Sequence, residues 1–332
     1  MVKSAHAFLG GAKLKFIEAD LRAAIANMKS LKYAQIPAAE LGRANIWSAK
    51  GMLAKMLLTL NRKTEAIAVL QDVITNSGYS LQSTYANVFS ISNEMNSEIL
   101  FAVRYKAGGL GLGSHFANDF APLGSGSAVI NGDGDGLNYP TNDLDTATNG
   151  DARKPTIMAT FGSGSSAKLY VRKFFSAVTI ADDAENDWPV LRYADILLMM
   201  SEALGYSPEG ITYLNSTRPR AGLPNYTLAT LTSQAQFELA LSNERRIEFA
   251  FENQRFFDMV RFNTTFSTLT SEQIMKDHFA DEFYNHYRLY VPPAPTLAQL
   301  YAQTTREKML LPIPQHEIDT NTQIAISQNP GY

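Results

Sequence analysis

Residues 243–262 read NERRIEFAFENQRFFDMVRF. Glutamates recur at 244, 248 and 252, and Arg255 follows three residues on. At about 100° per residue these four fall on one stripe of a helix, with Arg245 beside them and Asp258 and Arg261 completing the charged set. Phe249, Phe256 and Val260 occupy another face, and Ile247, Ala250, Phe251 and Phe257 fill most of the remainder. An apolar belt this wide implies a largely buried helix, and the stretch reads as one helix from about Ser233 to Phe262. Buried carboxylates need partners, and Arg255 stands i+3 from Glu252 and i+7 from Glu248. Two glutamates four apart have the order of separation of a glycosidase pair. A catalytic pair, however, normally comes from different elements facing a cleft. Three acids and several arginines on one helix have the composition of a structural ion network. We therefore assign Glu244, Glu248, Glu252, Arg255, Asp258 and Arg261 to structure, and expect no catalytic residue and no enzyme.

Working outward, other segments carry helical periodicity. Lys13 to Met28 places Leu14, Ile17, Leu21, Ala24, Ile25 and Met28 on one face. Ala38 to Leu60 follows Pro37, and Lys63 to Thr75 ends at Ser77-Gly78, a C-cap signal. TLNRKTEAIAVLQDVI has the small-residue pattern of a tetratricopeptide hairpin, with Ala54, Ala66 and Ile67 where two helices approach. Trp188 to Leu204, WPVLRYADILLMMSEAL, is apolar on every side and reads as a buried helix. A short helix near Gly210–Thr217 answers it and stops at Pro219. At the C-terminus, Pro312 and Pro314 make Leu310–Pro314 extended. The final LLPIPQHEIDTNTQIAISQNPGY reads as a strap over a finished core.

The chain has 332 residues, enough for one large domain or two ordinary ones. Hydrophobic residues make up 45% and charged residues 18%, a globular composition. Net charge is −3 with no basic block, which argues against a nucleic-acid groove. No cysteine is present, which excludes disulfides, thiolate metal sites and cysteine nucleophiles. No run reaches the roughly 18 apolar residues of a membrane span. MVKSAHAFLGGAKLKF, broken by His6, is a poor signal peptide.

Lys106 to Ser166 differs in kind. AGGLGLGS, GSGS, NGDGDG and GSGSS mean turns and backbone at positive φ, and loops this long in a compact domain are functional or disordered. Val291–Thr296, VPPAPT, is a second irregular stretch. NGDGDGLNYPTN resembles a calcium loop at Asn131, Asp133, Asp135 and Gly136, but has Asn142 where a bidentate Glu belongs. A Gly-Asp turn cluster is the simpler reading, so no cofactor is expected. His278, Glu282 and His286 are spaced i, i+4, i+8, and the outer two lie about 12 Å apart along a helix, too far to converge on a metal.

Together these pieces resemble the SusD/RagB family of Bacteroidota surface lipoproteins. The similar stretches are FIEADLRAAI, GRANIWSAKGMLAKMLLTLNRKTEAIAVLQDVITNSGYSL, SEILFAVRY, YPTNDLDTATNGDARKPTI, WPVLRYADILLMMSEAL, RPRAGLP, ERRIEFAFENQRFFDMVRF and the closing LLPIPQHEID…QNPGY, in the family's order. The resemblance implies a mainly α, tetratricopeptide-like SusD fold, 1–332 as a single domain lacking its usual N-terminal part, and a strap packed on the scaffold. It implies cell-surface capture of oligosaccharide or polysaccharide and delivery to a SusC-type TonB-dependent porin at the outer membrane, through a lipid anchor absent from these residues. Peptide cargo, as for RagB, an intracellular tetratricopeptide scaffold and a hydrolase are the rivals.

Sugar capture needs an apolar platform and a few hydrogen-bonding groups. We place it in the glycine-rich 106–166 insertion, on the aromatics Phe116, Phe120 and Tyr139, with Asn118, Asp119, Asn131, Asp135 and Asn138 as polar candidates. Trp188, beside Pro189 at a loop–helix junction, joins them. These choices rest on composition and position, since the family's binding loops vary.

Overall fold

The computed structural model describes residues 5–290 and 292–332, with side chains from residue 14 onward. Met1–Ser4, at the head of the N-terminal stretch, and Val291, at the head of VPPAPT, lie outside them. The architecture is mainly α. Helices α1 (Ala5–Asn27), α2 (Ile46–Thr59) and α3 (Lys63–Asn76) pack in succession, and α3 packs on α8 (Tyr193–Leu204), which packs on α9 (Pro208–Leu214). The remaining helices are α4 (Tyr85–Val88), α5 (Phe116–Phe120), α6 (Asn142–Ala147), α7 (Lys154–Ile157), α10 (Gln234–Glu248), α11 (Arg255–Thr265), α12 (Ser271–Glu282), α13 (Leu297–Gln303) and α14 (Gln315–Thr320). Short strands β1 (Ile99–Val103) and β4 (Trp188–Arg192) pair antiparallel, as do β2 (Met158–Phe161) and β3 (Lys168–Val171).

The main core gathers Trp47, Leu53, Ala54, Leu57, Leu58, Ala66 and Leu70 with Leu191, Ile196, Met199 and Met200. Ala54 and Ala66 are fully buried where α2 meets α3. Gly51 lets α2 approach the β4–α8 corner, since a Cβ there would stand 2.4 Å from Leu191 Cδ2. The indole of Trp47 donates to the Leu31 carbonyl at 2.6 Å, tying α2 to the end of α1.

Several boundaries differ from the expectation, each for a local reason. The Ala38–Leu60 helix begins only at Ile46, because Gly42 sits at φ +95° and the Asn45 side chain caps Trp47 and Ser48. Trp188–Arg192 is a strand: Pro189 cannot donate in a helix interior, and Trp188 pairs with Val103 while Arg192 pairs with Ile99. Gly210–Thr217 narrows to Pro208–Leu214, capped by the Ser207 hydroxyl on Gly210 N–H. The single Ser233–Phe262 helix is two helices, interrupted where Phe251 (φ 64°) and Asn253 (φ 56°) adopt left-handed backbone. The break is held chemically. Lys173 Nζ donates to the carbonyls of Glu248 (3.2 Å) and Ala250 (2.6 Å) and to the Glu252 carboxylate (2.8 Å), a cation at the negative end of α10.

The glycine-rich insertion is ordered in part. It contains α5, α6, α7 and β2, and Ser114 bridges Ala184. Gly134 is needed there, because a Cβ would lie 2.4 Å from the Ala121 backbone. Leu311–Pro314 is free of helix, in line with its prolines, and α14 follows. The tail is no buried strap: among residues 292–332 none is buried. It folds largely on itself, Gln328 pairing with the Ile313 backbone and Asn329 donating to Leu311 O, while Arg306 donates to Asn263 O on α11. Among the described residues no helix is long and apolar enough to cross a membrane.

Candidate binding site

The site is built on a buried charge hub. Glu244 and Glu248 on α10 and Glu252 in the break meet Glu98, Asp151, Arg153, Lys173, Arg192, Arg218 and Arg220. Five carboxylates face five cations, so the hub is neutral as a whole. Glu248 alone pairs with Arg153 (2.9 Å), Arg192 (2.9 Å) and Arg220 (2.7 Å). Burial opposes its charge, yet Arg220, Arg192 and Arg153 hold its carboxyl well below the usual range. Burial likewise pushes the Lys173 ammonium down to about 8, against the pull of Glu252. A second neutral cluster joins Asp195, Glu202 and Asp258 to Lys55, Arg245 and Arg261. Every acid of the Glu244–Glu248–Glu252 stripe is bound by cations, so none stands as a free acid or base over a cleft.

The hub fixes where the irregular segments start. Glu98 precedes β1, Arg192 ends β4, Asp151 and Arg153 pin the glycine-rich insertion just before α7, and Arg218 and Arg220 flank Pro219 in RPRAGLP. Four residues before Arg192, at the far end of β4, is Trp188. Its ring lies 4.6 Å from Phe116 and is stacked at 4.8 Å on the buried Phe174. Phe116 stacks on Phe120 at 5.7 Å and meets Tyr105 edge-on. Trp188, Phe116, Phe120 and Tyr105 are each only partly buried. The result is an aromatic block whose inner side is anchored and whose outer side is open.

Trp188 is also one wall of a cleft of about 770 Å³. Asn138, Thr141, Asp143 and Leu144 of the insertion line it, the α10–α11 break and the start of α11 supply Phe249–Phe251 and Asn253–Phe256, and α12 supplies Ile274, Met275, Asp277, His278 and Asp281. Leu239, Met259 and Leu269 add apolar lining, and Ser242, Asn243 and Arg246 add polar lining. A clasp joins α6 to α12 at the rim. Asp143 accepts from Arg246 at 2.6 Å and meets His278 Nδ1 at 3.3 Å, while Glu282 accepts the Asp143 N–H. The His278 bond, against some burial and with help from Arg246, holds the Asp143 carboxyl at about 2.

The expected residues divide. Trp188 and Asn138 line the cleft, and Phe116 and Phe120 back Trp188. Tyr139 stands apart: it is exposed, packs over Gly136, and its hydroxyl accepts from Leu123 N–H. Asp135 is exposed and lies outside the cleft wall. Asn118 braces the loop, donating to Asn131 O and Asp133 O, and Asn131 donates to Thr179 O. Asp119 is partly buried, and burial raises its carboxyl. Asp133, of the calcium-like set Asn131, Asp133 and Asp135, spends Oδ1 on the N–H groups of Gly126 and Gly134. Among the described residues no group of three or more His, Cys, Asp and Glu could hold a metal ion. His286 lies beyond α12 and meets Tyr290. Arg255 is the main departure in the charged stripe. The break turns it away from Glu248 and Glu252, and it donates to Ser242 instead.

Sequence reasoning missed the cleft and all five of the hub's cations. The signal for the latter was present: a lone arginine closing an apolar run, as in WPVLR, or two flanking a proline, as in RPR, is costly to bury unless an acid waits for it.

The chain has known relatives. SusD-like protein P25 of Formosa agariphila is 26% identical, with 71% of this chain and 54% of that protein covered. A SusD-like protein of Bacteroides ovatus is 25% identical, with 92% of this chain and 64% of that protein covered. The chain thus spans between about half and two-thirds of the length of these relatives. Among solved structures, a laminarin binding SusD-like protein superposes with a TM-score of 0.71 at 25% identity, over 97% of this chain and 69% of that one. The model of the SusD family matches residues 97–332, well over half the chain, so the chain belongs to that family.

Proposed function

We propose that this protein captures oligosaccharide at the bacterial cell surface, in the cleft walled by Trp188, and passes it to a SusC-type TonB-dependent porin. Tethering to the outer membrane through a lipid anchor belongs to the same reading, as does the role of the 106–166 insertion as ligand-binding region. The observation that carries it is a partly exposed tryptophan, backed by Phe174 and Phe116, on the wall of a cleft lined by both apolar and polar side chains. An aromatic face covers the C–H side of a pyranose, while Asn138, Asn243, Asn253 and Gln254 offer amides to its hydroxyls. One stacked face contributes on the order of 1 kcal/mol at about 25 cal/mol per Å². Affinity therefore grows with the number of sugar units engaged.

The test is a calorimetric screen of the protein against plant, algal and host oligosaccharides. Trp188→Ala is expected to weaken the best binder about tenfold, or about 1.4 kcal/mol. Tyr139→Ala should leave it within about twofold, because Tyr139 lies outside the cleft. Unchanged affinity in Trp188→Ala removes the cleft from the account.

A further inference from the structure

We propose that the inner end of the cleft is a subsite for an oxyanion, a carboxylate or sulfate group carried on an oligosaccharide, held by the Arg255 guanidinium and the free N–H groups that open α11. The inference rests on the binding role proposed above and narrows its cargo to acidic glycans.

Arg255, only half-buried, departs from the pattern of the arginines in the charge clusters. Arg153, Arg192, Arg218, Arg220, Arg245 and Arg261 each meet at least one carboxylate within 3.2 Å. Among the described residues Arg255 meets none. Its Nη1 donates to Ser242 O (3.1 Å) and Oγ (2.9 Å), and its other nitrogens have no acceptor there. Burial, with Arg246 nearby, depresses it to about 10 against the weaker pull of Asp258 and Asp143. Its side chain lines the cleft, so the guanidinium nitrogens left over are within reach of a ligand there.

A second set of donors converges on the same place. Arg255 is the first residue of α11, and Gln254 before it supplies no side-chain cap. Among the described residues the N–H groups of Arg255, Phe256 and Phe257 find no acceptor. Asn253, Gln254, Arg255 and Phe256 all line the cleft, so this uncapped end of an 11-residue helix opens onto it. Free N–H groups, the positive end of the helix and a planar guanidinium together suit an oxyanion. The other charges at the cleft place it. Asp143 is already taken by Arg246 and His278, and Asp277 and Asp281 stand exposed on the α12 side. An anion is therefore repelled at the α12 side and accepted at the α11 end, which also gives the ligand a direction.

The probes are three hexasaccharides, neutral laminarihexaose, hexagalacturonate and a sulfated carrageenan hexasaccharide, together with inorganic sulfate alone. Wild type, Arg255→Gln and Arg255→Lys are compared by calorimetry and thermal melting. Arg255→Gln orphans no carboxylate, so it is expected to keep its fold by circular dichroism. At least one acidic hexasaccharide should bind tenfold or more tighter than laminarihexaose, with the preference lost in Arg255→Gln and partly kept in Arg255→Lys. Whether the carboxylate or the sulfate probe wins identifies the group. Sulfate should raise the melting temperature of wild type and not of Arg255→Gln. Laminarihexaose binding as tightly as both acidic sugars overturns the subsite and leaves the glycan role standing. No sugar binding, with sulfate still acting through Arg255, supports the anion site and overturns the glycan role. An equal sulfate effect on wild type and Arg255→Gln, or an acidic preference that survives Arg255→Gln, overturns the subsite.

Discussion

Glu248 accepts three arginines while buried completely, and its energetics set the tone at the residue scale. Such a network is a weak source of net stability, because desolvation offsets attraction, but removing one member strands the others. Glu248→Gln should therefore destabilise the fold by about 3–5 kcal/mol, measured by urea unfolding, whereas a loss under 1 kcal/mol would mean the hub relaxes around the gap. The acids also set a pH limit. Glu248, Asp195 and Asp258 sit below the usual carboxylate range, and Asp143 lies at about 2. Their folded pKa values lie below the unfolded ones, so the unfolded chain takes up protons first. The stability they give is present above about pH 4 and is lost as pH falls toward 2. Melting temperature should be level near pH 6 and drop steeply below about pH 4; a level profile down to pH 2.5 would contradict the assignment.

At the level of elements, periodicity located most of the helices, and chemistry decided where they ended. The break after Glu248 could not be read from NERRIEFAFENQRFF, because every position in it suits a helix. What ends α10 is Lys173, 75 residues upstream of Glu248, reaching two carbonyls. Trp188–Arg192 escaped for a similar reason: an apolar run of five residues suits strand or helix alike, and only pairing with Ile99–Val103 chooses. The aromatics Phe116, Phe120 and Trp188 were legible as candidates from their place at loop edges. The cleft was not, since its walls come from segments more than a hundred residues apart. The insertion's own order is testable apart from the scaffold. Gly134→Ala would drive a Cβ into the Ala121 backbone. Hydrogen exchange should then lose protection across 114–136 while α2, α3 and α8 keep theirs; equal loss everywhere would show that the insertion and scaffold fold as one unit.

For the whole molecule, paired helices and a buried charge hub hold loops whose open side carries an aromatic block and a cleft. Rigid backing matters because a ring already held in place loses little freedom when a sugar stacks on it. The chain offers its own reporter for this. It has two tryptophans, and Trp47 is buried in the α1–α2 core while Trp188 lines the cleft. The most direct test is a tryptophan fluorescence titration with oligosaccharides, run on wild type and Trp188→Phe. The account predicts a saturable change in wild type that disappears in Trp188→Phe. No saturable change with any oligosaccharide, or the same change in both proteins, would contradict it.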